Sequence, residues 1–183
     1  MAKLQSDHLA LEIKFKSFEY EWINYDIIFY WKDDIIVNNS ILKREGEWWK
    51  KRNYGTFIAD DYEEDHLIDT IKEVLKTNKA EYWEPLEPDV TMAIYPNKFF
   101  PFLKCHWTLI DNDKEEQIEN EIREIREDDL FTIITFIDSY GFKDETSYSG
   151  EGISLHMTVR REDLEKFVSD LEIEYNNLSD LPS

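Results

Sequence analysis

At 183 residues the chain can bury one sizeable core and is short for two, and 42% hydrophobic residues with 11 Phe, 10 Tyr and 6 Trp exclude a disordered polymer. Five glycines exclude long flexible linkers and collagen-like or low-complexity stretches. A formal net charge of −20, from 41 acidic against 21 basic residues, argues against nucleic acid and anionic membranes as partners and for cationic ones, although a simple solubility device has the same composition.

A single cysteine, Cys105, excludes a disulfide framework and points to a reducing compartment. Met1 to His8 contain no apolar signal region, and the apolar run Ile27–Trp31 is far short of a membrane span. The expectation is a cytoplasmic, single-domain protein over residues 1–183.

Along the chain, Leu9, Leu11, Ile13 and Phe15 alternate with polar neighbours, the period of a half-buried strand. The apolar phase then slips by one onto Phe18, Tyr20 and Trp22, which predicts a bulge or bend near Ser17. Asn24-Tyr25-Asp26 reads as a turn and Ile27–Trp31 as a short strand. Lys32-Asp33-Asp34 reads as a tight connection, with Ile35–Leu42 returning as the second arm of a hairpin. Glu45-Gly46 marks another turn. Between Glu47 and Ile58, four aromatics surround Lys50-Lys51-Arg52, a basic triplet better suited to neighbouring carboxylates than to an external anion.

The acidic run Asp60–Asp65 opens a helix predicted over Glu63–Asn78. Asp61 is in position to cap it, with Glu64 three residues on, and acids suit the positive helix end. Leu67, Ile68, Ile71, Val74 and Leu75 supply its apolar stripe, and Lys76 and Lys79 lie at the far end. The following stretch, Glu81–Pro96, reads as a rigid connector, because Pro85 and Pro88 cannot continue a helix and hold the preceding residues extended. Its second half alternates like a strand through Val90, Met92 and Ile94.

Asn97 and Pro101 break the chain before a strand at Phe102–Ile110. Asp111–Asp129 is a charged insertion with ten acids against three bases. Ile118, Ile122 and Ile125 would give it a thin helical seam, and a charged hairpin loop fits equally well. Leu130–Ile137, apolar on both faces, suits a central strand. Ser149-Gly150-Glu151-Gly152 is a turn, and Ile153 to Val159 alternate as a strand with one solvated face. Leu164, Phe167, Val168, Leu171 and Tyr175 form a second amphipathic helix ended by Asn176-Asn177, with Leu178–Ser183 as a frayed tail. The fold class is α+β: a mainly antiparallel β-sheet with two amphipathic helices packed on it and a third, charged helix left open.

No catalytic set stands out. The histidines His8, His66, His106 and His156 do not occur at metal-ligand spacing, so no metal is expected. Cys105 and His106 are neighbours in a predicted strand and point to opposite faces. Ser154 and His156 share a strand face but lack a nucleophile elbow, and a solvated face explains them. Carboxylates are too many to single out an acid–base pair, and no glycine-rich phosphate cradle occurs, so no cofactor is expected. These absences weigh against an enzyme. What remains is surface binding. Tyr82, Trp83, Glu84, Glu87 and Asp89 combine aromatics with charge on a stiff stretch, and Asp60, Asp61, Glu63, Glu64 and Asp65 lie at the other end of the same helix. The plainer reading puts Trp83 in the core and the acids in solvent.

The order of a strand-rich N-terminal half, the helix D-D-Y-E-E-D-H-L-I-D-T-I-K-E-V-L, the segment E-P-L-E-P-D-V-T-M-A-I-Y-P and a terminal R-R-E-D-L-E-K-F-V-S-D-L helix resembles the WapI-type bacterial immunity proteins. The likeness covers about residues 55–96 and 150–174. The chain departs from it in a longer N-terminal hairpin region and in the Asp111–Asp129 insertion. The resemblance implies a non-enzymatic inhibitor of the toxic C-terminal domain, often a nuclease, of a secreted or contact-dependent toxin. The charge agrees, since a nuclease domain is basic enough to hold phosphates and an acidic inhibitor imitates their field. The expected partner is therefore a cognate basic toxin domain, with the oligomeric state open. An acidic regulatory module or nucleic-acid mimic is the alternative, and an enzyme of unfamiliar type the third.

Overall fold

Among the described residues the alternating sequence forms two antiparallel sheets rather than one. The computed structural model describes residues 1–19, 22–38, 55–58, 66–85, 90–96, 130–138 and 152–179. The first sheet contains β1 (Ala2–Gln5), β2 (Leu9–Glu19), β3 (Trp22–Trp31) and β4 (Asp34–Val37) in that order, and β5 (Gly55–Ile58) also pairs with β3. Helix α1 (Leu67–Thr77) leads into the second sheet, β6 (Glu81–Trp83), β7 (Val90–Pro96), β8 (Leu130–Asp138) and β9 (Gly152–Arg160), again in chain order. Helix α2 (Arg161–Ser179) follows directly. The α+β class is as expected, with every strand pair among the described residues antiparallel.

The phase slip of β2 is a bulge. Phe15 pairs with Tyr25 and Ser17 with Asn24, so Lys16 is the extra residue. The turn expected at Asn24-Tyr25-Asp26 is not there: the three residues lie inside β3. Asn and Asp favour turns because they satisfy backbone groups locally, but here partners across the ladder do so instead. Asn24 Nδ2 donates to Ser17 Oγ at 2.8 Å, and Asp26 pairs with Lys16 at 3.1 Å. The connection at Lys32 is tight as expected, with Lys32 in the left-handed region at φ 55°.

The connector is also half strand. Its first residues form β6, which pairs antiparallel with β7 through Glu81↔Ile94, Tyr82↔Ala93 and Trp83↔Met92. Val90, Met92 and Ile94 are buried as their alternation requires. β8 runs between β7 and β9, the central position its two-sided apolarity suits. The expected strand Phe102–Ile110, the Asp111–Asp129 insertion, Cys105-His106 and Lys50-Lys51-Arg52 lie outside the described residues.

Both helix boundaries differ from expectation. α1 begins at Leu67, and its cap is His66 rather than Asp61. The His66 backbone is extended, and its Nδ1 accepts from the Ile68 N–H at 3.3 Å. At the other end Asn78 turns left-handed and its N–H reaches the Val74 carbonyl at 2.8 Å. α2 runs through Asn176-Asn177, because two exposed asparagines cost a helix only a few tenths of a kcal/mol each while Leu178 still packs on the core. Among the described residues no helix is long and apolar enough to cross a membrane.

One contiguous core joins all layers. It takes Leu11, Ile13, Tyr25 and Phe29 from the first sheet, Ile71 and Val74 from α1, and Trp83, Phe131 and Ile133 from the second, with Phe167 and Leu171 from α2. α2 lies against β1, β2, β9 and α1. Polar contacts fix it there. Its Glu174 accepts from the Phe15 N–H at 3.0 Å, beside the bulge, and meets the Met1 amino group. Its Arg161 donates to the Leu75 carbonyl at 2.9 Å, filling an orphan acceptor at the end of α1, and lies 5.1 Å over the Phe131 ring.

His66 couples the two helices and sets a pH dependence. Its ring meets Tyr175 of α2 edge-on at 5.0 Å. Burial pushes its pKa below the ordinary 6.5; the nearby Asp69 opposes this and Lys72 reinforces it. The unfolded chain therefore binds more protons just below that value. The contribution of the neutral ring is present above about pH 6.5 and is lost as pH falls from there toward the lower folded value. Urea unfolding between pH 7.5 and 5 should show the native chain losing more stability than His66→Asn, which keeps a capping oxygen and cannot titrate. Parallel curves for the two proteins would refute this role.

Candidate functional site

The docking set expected from sequence divides at β6. Successive strand residues face opposite sides, so Tyr82 points one way and Glu81 and Trp83 the other. Tyr82 is 71% exposed, and Glu84 is exposed beside it. Trp83 is 1% exposed and belongs to the core; it cannot reach a partner and leaves the docking set. Asp60, Asp61, Glu63, Glu64, Asp65, Glu87 and Asp89 lie outside the described residues. The chain enters α1 at His66 and leaves it at Asn78, about 17 Å apart for a helix of this length. The two acidic stretches are therefore attached to opposite ends of one helix. The edge of the second sheet at β6 is short, and Pro85, which follows it, is buried. What the described part of the site offers is one exposed tyrosine with an exposed glutamate two residues on.

The Ser154–His156 pair does form, with Ser154 Oγ 3.1 Å from His156 Nε2. Both side chains are exposed on β9. On an open face water, not a preorganised site, would surround a developing oxyanion, so the contact carries no catalytic reading. Among the described residues no group of three or more His, Cys, Asp or Glu side chains could hold a metal ion.

Sequence reasoning missed a buried carboxylate. Glu12 was one of the polar alternates of β2, yet it is 9% exposed. It lies opposite Lys3 and accepts from the Tyr30 hydroxyl at 3.0 Å, while Lys3 Nζ lies 4.8 Å over the Tyr30 ring. Burial raises the Tyr30 pKa first, and donation to Glu12 and the Glu12 charge raise it further. The phenol therefore stays protonated and keeps the carboxylate satisfied, a structural arrangement. Only the register of three strands brings these residues together, and no spacing in the sequence signals it. Compared with protein-family models, with curated proteins and with solved structures, the chain matches none.

Proposed function

We propose that this chain is a cytosolic immunity protein that binds and neutralises a basic toxin domain, with a nuclease as the toxin class that best fits the charge. The observation that carries the reading is Tyr82, 71% exposed on β6, with an exposed Glu84 two residues on. Tyrosine supplies large contact area at small entropic cost, and it recurs at the energetic centres of interfaces. The −20 net charge supports the reading from a distance, by drawing a cationic domain in and raising its association rate. The resemblance of residues 55–96 and 150–174 to immunity proteins supports it independently of both.

The test is to purify the full chain with the polypeptide encoded immediately upstream and to measure binding and toxin activity at low and physiological salt. A 1:1 complex that abolishes toxicity is expected. No complex at low salt would sink the reading. Within such a complex, the double variant Tyr82→Ala with Glu84→Lys should weaken binding by about 2 kcal/mol or more, roughly thirtyfold. Its unfolding midpoint should match the native chain, because both side chains are at the surface. Unchanged affinity would move the contact away from β6.

A further inference from the structure

A groove of about 1140 Å³ opens between the two sheets, on the far side of the second sheet from β6. One wall is residues 156–160 of β9, and the other is residues 5–9 of the β1–β2 turn. A pocket lying over one face of a strand would be lined by alternate residues. Consecutive lining residues indicate that the groove follows the edge of β9. β9 is the last strand of its sheet and pairs, among the described residues, with β8 alone. Its nine residues contain no proline and no lysine, and Arg160 is their single formal charge, so the strand's own sequence carries little of what usually guards an exposed edge.

The floor and the charge narrow the occupant. Leu9, Trp31, Leu130 and Met157 give an apolar base, and Trp31 is 46% exposed with His8 5.5 Å away. Leu9, Trp31 and Asp34 lie in one cross-strand row, which sets a carboxylate beside the indole. Asp7 and Asp163 line the groove, while Arg160 is matched by Glu162 at 3.6 Å. The volume exceeds the roughly 300–1000 Å³ of most small-molecule pockets.

We propose that this groove takes an extended cationic peptide segment of a protein partner. The segment adds as a strand along β9 and lays alternate apolar side chains over Trp31 and Met157. Its lysines or arginines meet Asp7 and Asp163. This goes beyond the immunity reading and shares with it only the sign of the partner's charge, on the opposite sheet edge from Tyr82.

The probe is a fluorescent decapeptide of alternating Lys and Val, titrated into the full chain by anisotropy, with hydrogen exchange read by residue. Binding should slow amide exchange at Met157–Arg160. Trp31→Ala and Asp7→Lys should each weaken it at least tenfold, whereas Trp31→Phe and Tyr82→Ala should leave it within about twofold, and thermal melts show which variants are folded. An alternating Glu–Val peptide, and a Lys–Val peptide with two valines replaced by proline, should fail to bind. Equal binding of either control, or protection at β6 instead of β9, would overturn the groove. Peptide binding lost in Tyr82→Ala and kept in Trp31→Ala would overturn it while leaving the toxin reading standing.

Discussion

Trp83→Ala is expected to lower the unfolding free energy by about 3–5 kcal/mol. Trp83 heads the fully buried large side chains and is 1% exposed. It sits on β6, a strand of three residues paired with β7, with α1 packed against it. Its indole meets the Tyr25 ring of the first sheet at 6.3 Å in an edge-on arrangement, so it bridges the two sheets. Truncation removes a large transfer term and leaves a cavity that rigid strands on either side cannot fill. A domain of this size has about 5–15 kcal/mol in total, so the loss is a large fraction of its stability. Urea unfolding followed by circular dichroism measures it. Trp83→Phe should cost clearly less. Tyr82→Ala, one residue away and mostly exposed, should stay within about 0.5 kcal/mol. A Trp83→Ala protein within 1 kcal/mol of the native chain would show that the indole is not the bridge described. The same burial governs how binding data are read: a Trp83 variant that fails to bind a partner reports on β6 itself, and only Tyr82 and Glu84 report on contact.

Where each residue's fate depended on its own strand, the sequence was readable. Val90, Met92 and Ile94 had to share a face, Leu130–Ile137 could only be central, and the slip near Ser17 required an extra residue in the ladder. Reading failed where the deciding partner was remote. Asn24 and Asp26 looked like turn residues until Ser17 and Lys16 stood across from them. β1 offers only Ala2 and Leu4 to the core, too little alternation to announce a strand. α1 looked longer because an acidic run suits any helix start, whereas the cap is a histidine held against Tyr175. The candidate site failed in one instructive way. By composition Tyr82 and Trp83 read as two aromatics of a stiff connector. A strand reading of the same residues sends neighbours to opposite faces, which forces one of them inward. The split between an exposed Tyr82 and a buried Trp83 thus followed from secondary structure that Pro85 and Pro88 obscured. Most of the negative surplus falls outside the described residues, so the charge argument bears on the sign of a proposed partner and not on a docking face.

Gly55→Ala should destabilise the chain by about 1–3 kcal/mol, against the direction that propensity alone gives. Glycine inside a strand ordinarily costs roughly 0.5–1 kcal/mol relative to alanine, and the Gly55 backbone is not in the left-handed region. Space decides the sign instead. Gly55 lies directly opposite Tyr25 in the β3–β5 ladder, and the Tyr25 ring covers it. A Cβ at Gly55 would overlap the ring's Cζ and approach Cε1 to 2.7 Å. Tyr25 is 1% exposed and in ring contact with Trp83, so it cannot swing away without disturbing the bridge between the sheets. Strain at β5 therefore reaches the same core position that Trp83→Ala empties. A double-mutant cycle separates overlap from any general weakness of β5. In a Tyr25→Leu background the ring atoms are gone, and Gly55→Ala should become neutral or stabilising by a few tenths of a kcal/mol. Coupling of at least 1 kcal/mol between the two sites is expected. Stabilisation by Gly55→Ala alone would mean that Tyr25 does not lie over β5, and the packing of the first sheet against Trp83 would need a different account.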